Sequence, residues 1–318
     1  MTVLLQSSLN QKGKRGIRLQ STIMVFIDGV GIGKEDYQSN PFFKYGFKTF
    51  SELFGEIPHL GRQKLKGENA FFFPVDPLMG VADIPLSGTG QTSIFCGVNA
   101  PKIIGKHFGP YPYSTLVQII KEKNIFLEFM KRKKKVSFAN AYPKVFFDYV
   151  NSGRRRLSVT TLSCILNGMR LNKISDLRKG NALSAEIDNR RLVERMNYKM
   201  PIIKAETAAN RLLRIGAKNH FTLFEIFHTD HLGHGRNIEW LEHTTGVLDR
   251  FLYHLITNLT KDMTLVVCSD HGNFEDLSIK MHTLNPAIGI SAGKHSEFLS
   301  KKIKKLYDIK PAIMEMYD

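Results

Sequence analysis

Cysteine is scarce in this chain of 318 residues: only Cys96, Cys164 and Cys268 are present. Their spacing pairs none of them, so a disulfide framework is not expected and a reducing cytoplasm is. Long apolar runs are missing too, with nothing near the ~20 residues needed to span a bilayer. Met1 to Gln20 follows a brief Val3-Leu4-Leu5 patch with basic residues. It lacks the long apolar stretch and small-residue cleavage site of a secretory signal. Acidic residues run short, 29 against 45 Lys and Arg, for a formal charge of +16. That excess draws in anions: phosphorylated metabolites, nucleic acid or acidic lipid heads. The basic runs Lys131–Lys135 and Arg154–Arg156 carry no interleaved aromatics to stack bases. A phosphorylated small molecule is therefore favoured over nucleic acid as the partner.

The chain is long enough for a sizeable core, and its 42% apolar content is ordinary for a globular protein. Short apolar runs at Met24–Ile27, Val136–Ala139, Phe221–Phe227 and Thr264–Cys268 read as buried strands. Helical-looking segments lie between them, one from Ser114 to about Lys133. The pattern predicts an α/β fold, a mostly parallel sheet with helices on both faces. In such sheets ligands bind beyond the carboxyl ends of the strands. Three of the four runs lead straight into clusters of Asp and His. Between residues 150 and 205 the strand-like runs vanish and basic residues crowd in. A small, mainly helical insertion capping the site is expected there, with helical spacing around Asp188–Tyr198. It divides a core of residues 23–149 and 206–318, and residues 1–22 form a basic tail.

Five islands carry the chemistry: Phe26-Ile27-Asp28-Gly29, Pro85-Leu86-Ser87-Gly88-Thr89-Gly90, Thr229-Asp230-His231-Leu232-Gly233-His234, Ser269-Asp270-His271-Gly272-Asn273 and His282-Thr283. Carboxylates and imidazoles in these numbers suit two divalent cations. Asp230 and His234 lie four apart, on one face of a helical turn. Asp270 and His271 are adjacent at a strand end. The glycines after Asp28 do not make a dinucleotide loop, because the third glycine of that fingerprint is displaced. His228 and His231 are neighbours without a ligand pattern. In the second island Ser87, Thr89 and Thr92 all offer a hydroxyl in a Gly-rich turn before a helix, where a phosphate can approach the backbone.

In type and chain order the islands resemble the alkaline phosphatase superfamily, particularly its cofactor-independent phosphoglycerate mutase and phosphopentomutase branch. The likeness covers roughly residues 23–145 and 206–318. It implies Ser87 as the catalytic nucleophile, through the motif Ser87-Gly88-Thr89-Gly90-Gln91 and a glycine ten places on at Gly97. It further implies one metal ion, Zn²⁺ or Mn²⁺, held by Asp28, Asp270 and His271 with the Ser87 oxygen, and a second held by Asp230, His234 and His282. Two departures stand out: Gln91 replaces the mutase's histidine, and the insertion is too short for the mutase's large second domain. The sulfatase modification motif is missing around Ser87. The function implied is a two-metal phosphatase acting on a small phosphoester through a phosphoserine. A phosphomutase, a phosphodiesterase and a basic nucleic-acid-binding protein are the alternatives.

Overall fold

The computed structural model describes residues 19–154 and 156–318. The basic tail lies outside the described residues as far as residue 18, as does Arg155 of the second basic run. Nine strands occur along the described chain: β1 (Ser21–Ile27), β2 (Leu65–Lys66), β3 (Ala70–Val75), β4 (Val136–Phe138), β5 (Ala141–Tyr142), β6 (Asn172–Lys173), β7 (Phe221–Ile226), β8 (Met263–Cys268) and β9 (Ala287–Gly293). Seven of them form one sheet in the order β2-β3-β9-β8-β1-β7-β4. β1 is parallel to both β7 and β8, and β4 is parallel to β7, while β9 is antiparallel to β8 and to β3. Five of the seven strands thus share a direction, as expected of a mostly parallel sheet.

β1 shows why the fold takes this form. All seven of its residues are buried, because helices cover both faces of the sheet. Ile23, Val25 and Ile27 point into one apolar cluster, with Phe224, Leu212 and Phe251. Met24 and Phe26 point into the other, with Phe95, Phe126 and Phe129. Each such side chain contributes about 1.5–3 kcal/mol on leaving water, so a strand buried on two faces anchors the sheet. The parallel register then sets the carboxyl ends of β1, β7 and β8 side by side, and these strands run into Asp28, Asp230 and Asp270.

The expected helix from Ser114 is two helices, Ser114–Lys123 and Ile125–Lys131. Asn124 breaks it: its side chain accepts from Leu127 N–H at 3.0 Å and donates to the Ile120 carbonyl at 2.7 Å, capping both. Over residues 150–205 the helices are short. Around Asp188–Tyr198 only Arg190–Glu194 is helical, after Asn189 at φ 71°. The two-residue strand β6 also occurs there, paired with β5. Among the described residues no helix is long and apolar enough to cross a membrane.

Candidate metal centre

The helix Ser87–Cys96 is buried at every position, and its N-terminus opens on the carboxyl ends of β1 and β8. The three hydroxyls at this turn are used differently. Thr89 donates to the Leu86 carbonyl at 3.0 Å and Thr92 to the Gly88 carbonyl at 2.6 Å. Ser87 instead places its Oγ 2.9 Å from His271 Nε2. Of the three, only Ser87 aims its oxygen at the Asp and His cluster.

Two groups of ligand-type atoms gather there: Asp28, Asp270 and His271, and Asp230, His271 and His282. His234 joins the second, with Nε2 3.4 Å from Asp230 Oδ2 and 3.2 Å from His282 Nε2. His282 Nε2 is itself 3.4 Å from Asp230 Oδ1. The structure thus brings together all seven residues singled out from the sequence. His271 sits between the groups, its ring stacked on His282 with centroids 3.7 Å apart.

The protonation of the three imidazoles follows from what their Nδ1 atoms face. His234 Nδ1 meets the Lys280 carbonyl at 2.8 Å, His282 Nδ1 the Pro85 carbonyl at 2.7 Å, and His271 Nδ1 the Gly272 carbonyl at 3.3 Å. A carbonyl only accepts, so each Nδ1 carries a proton, and Nε2 is the atom each ring turns toward the carboxylates and could offer to a cation. A carbonyl that accepts from the outer ring nitrogen orients metal-binding histidines in this way. Two oxygens, Asp28 Oδ1 and Asp270 Oδ2, are buried without a hydrogen-bond partner. Each lies 3.5 Å from His271 Nε2. Orphaned carboxylate oxygens buried in this way are costly unless a cation lies among them. The donor set, oxygen and imidazole without sulfur, fits divalent cations.

The electrostatics agree. Burial pushes the Asp28 carboxyl well up, and the charges of Asp270, Asp230 and Glu225 add to it. Burial would raise Asp230 too, but His282, His271 and Asn273 hold it below the usual carboxylate range. Burial would lower His282, and Asp230 with the Pro85 carbonyl outweighs it, so that imidazole goes up. Burial lowers His271.

Of the surrounding shell, Gly233, Asn273 and Thr283 lie in the islands, while Glu275 and Glu225 were not singled out from the sequence. Asn273 donates from Nδ2 to Asp230 Oδ1 at 2.8 Å. Glu275 accepts from the N–H groups of Gly31 and Asn273, both at 2.8 Å, and from Thr283 Oγ1, so it ties two of the islands to the loop that follows Asp28. Gly233 has no room for a side chain, because a Cβ there would lie 2.4 Å from Asn273 Cγ. Glu225, buried on β7, accepts from Thr160 Oγ1 at 2.7 Å. Burial and the charge of Asp270 push its carboxyl up to about 7, although the Thr160 bond opposes them. One signal in the sequence could have marked it: it is the sole acid in the apolar run Phe221–Phe227. His228 and His231 belong to neither ligand group. Burial lowers both, His228 to about 3 beside Arg191.

The centre opens into a hollow of about 850 Å³, lined by Asp28, Ser87, Asp230, His234 and His282 on one side and by Tyr142, Phe146 and Arg156 among others on the far side. The basic run Lys131–Lys135 precedes β4 and so lies at the opposite, amino end of the sheet.

The model of the metalloenzyme superfamily matches residues 164–317, a stretch that takes in every candidate ligand except Asp28 and Ser87. Over that stretch, just under half of its length, the chain is similar to the metalloenzyme superfamily. Its fold is similar to that of the PH0037 protein from Pyrococcus horikoshii, with TM-score 0.54 and 11% identity over 94% of this chain and 97% of that one. It is equally similar to the alkaline phosphatase of the Antarctic bacterium TAB5, with TM-score 0.53 and 12% identity over 94% and 98%. No curated protein matches it by sequence.

Proposed function

We propose that this chain is a two-metal phosphatase that hydrolyses a phosphorylated small molecule through a phosphoserine. The observation that carries this is the meeting of three Nε2 atoms and two orphaned carboxylate oxygens beside the Ser87 hydroxyl. Asp28, Asp270, His271 and Ser87 would hold one ion, and Asp230, His234 and His282 the other. When bound, the two ions would supply the positive charge that makes Ser87 nucleophilic and neutralises the transferred phosphoryl group.

The chain's own residues do the rest. Ser87 Oγ forms the bond to phosphorus as the bond to the ester oxygen breaks, and the alcohol leaves. The N-terminus of the ten-residue helix Ser87–Cys96 favours the negative charge of the phosphoserine so formed. Water then cleaves the seryl ester, releasing phosphate and restoring Ser87. Asn273 and Glu275 hold the ligand loops in place, so little reorganisation is needed as charge develops.

The test is phosphate release from an aryl phosphate by metal-loaded protein. Turnover should be metal-dependent and fall at least about a thousandfold in Ser87→Ala, with both ions retained, because the nucleophile is lost and the histidines and carboxylates remain. An isomerised product with little free phosphate would shift the reading to a phosphomutase. Cleavage of diesters alone would shift it to a phosphodiesterase.

A further inference from the structure

We propose that the substrate is a phosphomonoester whose alcohol part carries a flat aromatic ring system of about nucleoside size, not a small sugar or hydroxy acid. This rests on the phosphatase reading of the same site.

The hollow of about 850 Å³ is far larger than a phosphoryl group and a three-carbon acid require, and lies at the upper end of small-molecule sites. Its far wall is aromatic. The helix Lys144–Asn151 has no buried residue, yet Val145, Phe146 and Tyr149 all face the hollow. Spacings of three and four residues put them on one side of the helix. Val145 is 60% exposed, so this apolar surface meets water unless something covers it. Tyr142 and Phe146 are already stacked, with centroids 4.0 Å apart and planes 21° from parallel. The Tyr142 hydroxyl is fixed at 2.8 Å from Thr161 Oγ1. A paired, tethered platform of this kind suits a third flat ring. Arg156, whose carbonyl accepts from the Tyr149 hydroxyl at 3.3 Å, also lines the hollow. It can bond the polar edge of such a ring or stack on its face. A glycerate or pentose would set hydroxyls and carboxylates against these rings and leave the wall wet.

The test uses metal-loaded Ser87→Ala protein, which cannot turn over, and calorimetric titration with inorganic phosphate, glycerol phosphate, phenyl phosphate and adenosine monophosphate. Phosphate should bind, and the two aromatic esters should bind at least about tenfold more tightly than glycerol phosphate, the scale of one stacked ring. Adding Phe146→Ala or Phe146→Leu should remove most of that preference while leaving phosphate and glycerol phosphate unchanged. Phe146 is only half-buried where it packs against the second apolar cluster, so both variants should remain folded, with Phe146→Leu the closer to the parent in melting temperature. Equal binding of glycerol and aromatic esters would overturn the inference and leave the phosphatase reading standing. So would an aromatic preference that survives both variants, or one that Phe146→Leu fully restores. If phosphate itself failed to bind, the phosphatase reading would fall, and the substrate class with it.

Discussion

Glu225 shows what a single buried residue does beside this centre. It lies under the carboxylates, bonded only to a neutral hydroxyl, and its acid group is pushed up to about 7 by burial and by Asp270. In the unfolded chain it would ionise near the ordinary value of about 4.3. Folding therefore favours the protonated form. The penalty is absent below the unfolded value, grows as pH rises, and is complete above about 7. Glu225→Gln keeps an acceptor for Thr160 and cannot ionise. In metal-stripped protein it should match wild type near pH 4 and exceed its stability by roughly 2–3 kcal/mol at pH 8. Urea unfolding at the two pH values measures this, and no gain at pH 8 would refute the buried-acid account. Sequence alone could not have supplied it, because the effect depends on Thr160 and Asp270, distant along the chain. The candidate acids and imidazoles stood out because such groups are costly to bury without a partner, whereas Ser87 was set apart from Thr89 and Thr92 by the family resemblance. The roles of Asn273, Glu275 and Glu225 were not legible, because they lie in which partner each reaches.

At the scale of elements, legibility followed the parallel strands. β1, β4, β7 and β8 are apolar runs that a sheet covered on both faces demands, and each stood out. β9 did not. It contains Gly289, where a Cβ would sit 2.4 Å from Phe73 Cε2, so close packing displaces a β-branched residue. β3 carries Pro74, which reads against a strand. The short helix His228–Gly233 poses the same problem of space at the metal centre. Gly233→Ala would drive a methyl into Asn273, the residue that orients Asp230. The variant should lose about 1–3 kcal/mol and weaken binding of the ion held by Asp230, His234 and His282. Asn273→Ala in the same protein should restore stability by making room without restoring metal affinity, because the bond to Asp230 stays broken. Melting curves and metal stoichiometry on the two single variants and the double variant form the cycle that tests this coupling. Strictly additive effects would show that the two residues do not meet.

Across the whole molecule, the sheet gathers three carboxylates beyond the carboxyl ends of its central strands, and their mutual charge makes the fold depend on what neutralises it. Asp28 is pushed up by burial and then by Asp270 and Asp230, so without a cation its ionisation opposes folding as pH rises. Chelation should therefore lower the melting temperature of the wild-type protein by several degrees, through loss of the binding energy that bound ions contribute. Asp270→Asn changes that balance in a way specific to a metal centre. It removes one negative charge and replaces the orphaned Oδ2 with an amide donor facing the His271 Nε2 lone pair. The amide oxygen can still accept from Gly29 N–H, now 3.3 Å from Asp270 Oδ1. The variant should lose activity and the ion beside Ser87, and chelator should shift its melting far less than it shifts wild type. It should also melt above chelated wild type, a gain that a carboxylate with a purely structural role would not produce. Calorimetric scans of the two proteins, each with metal and with chelator at pH 8, decide the matter. If chelated Asp270→Asn melts below chelated wild type, the carboxylate supports the fold directly, and repulsion among the clustered carboxylates is not what the cations relieve.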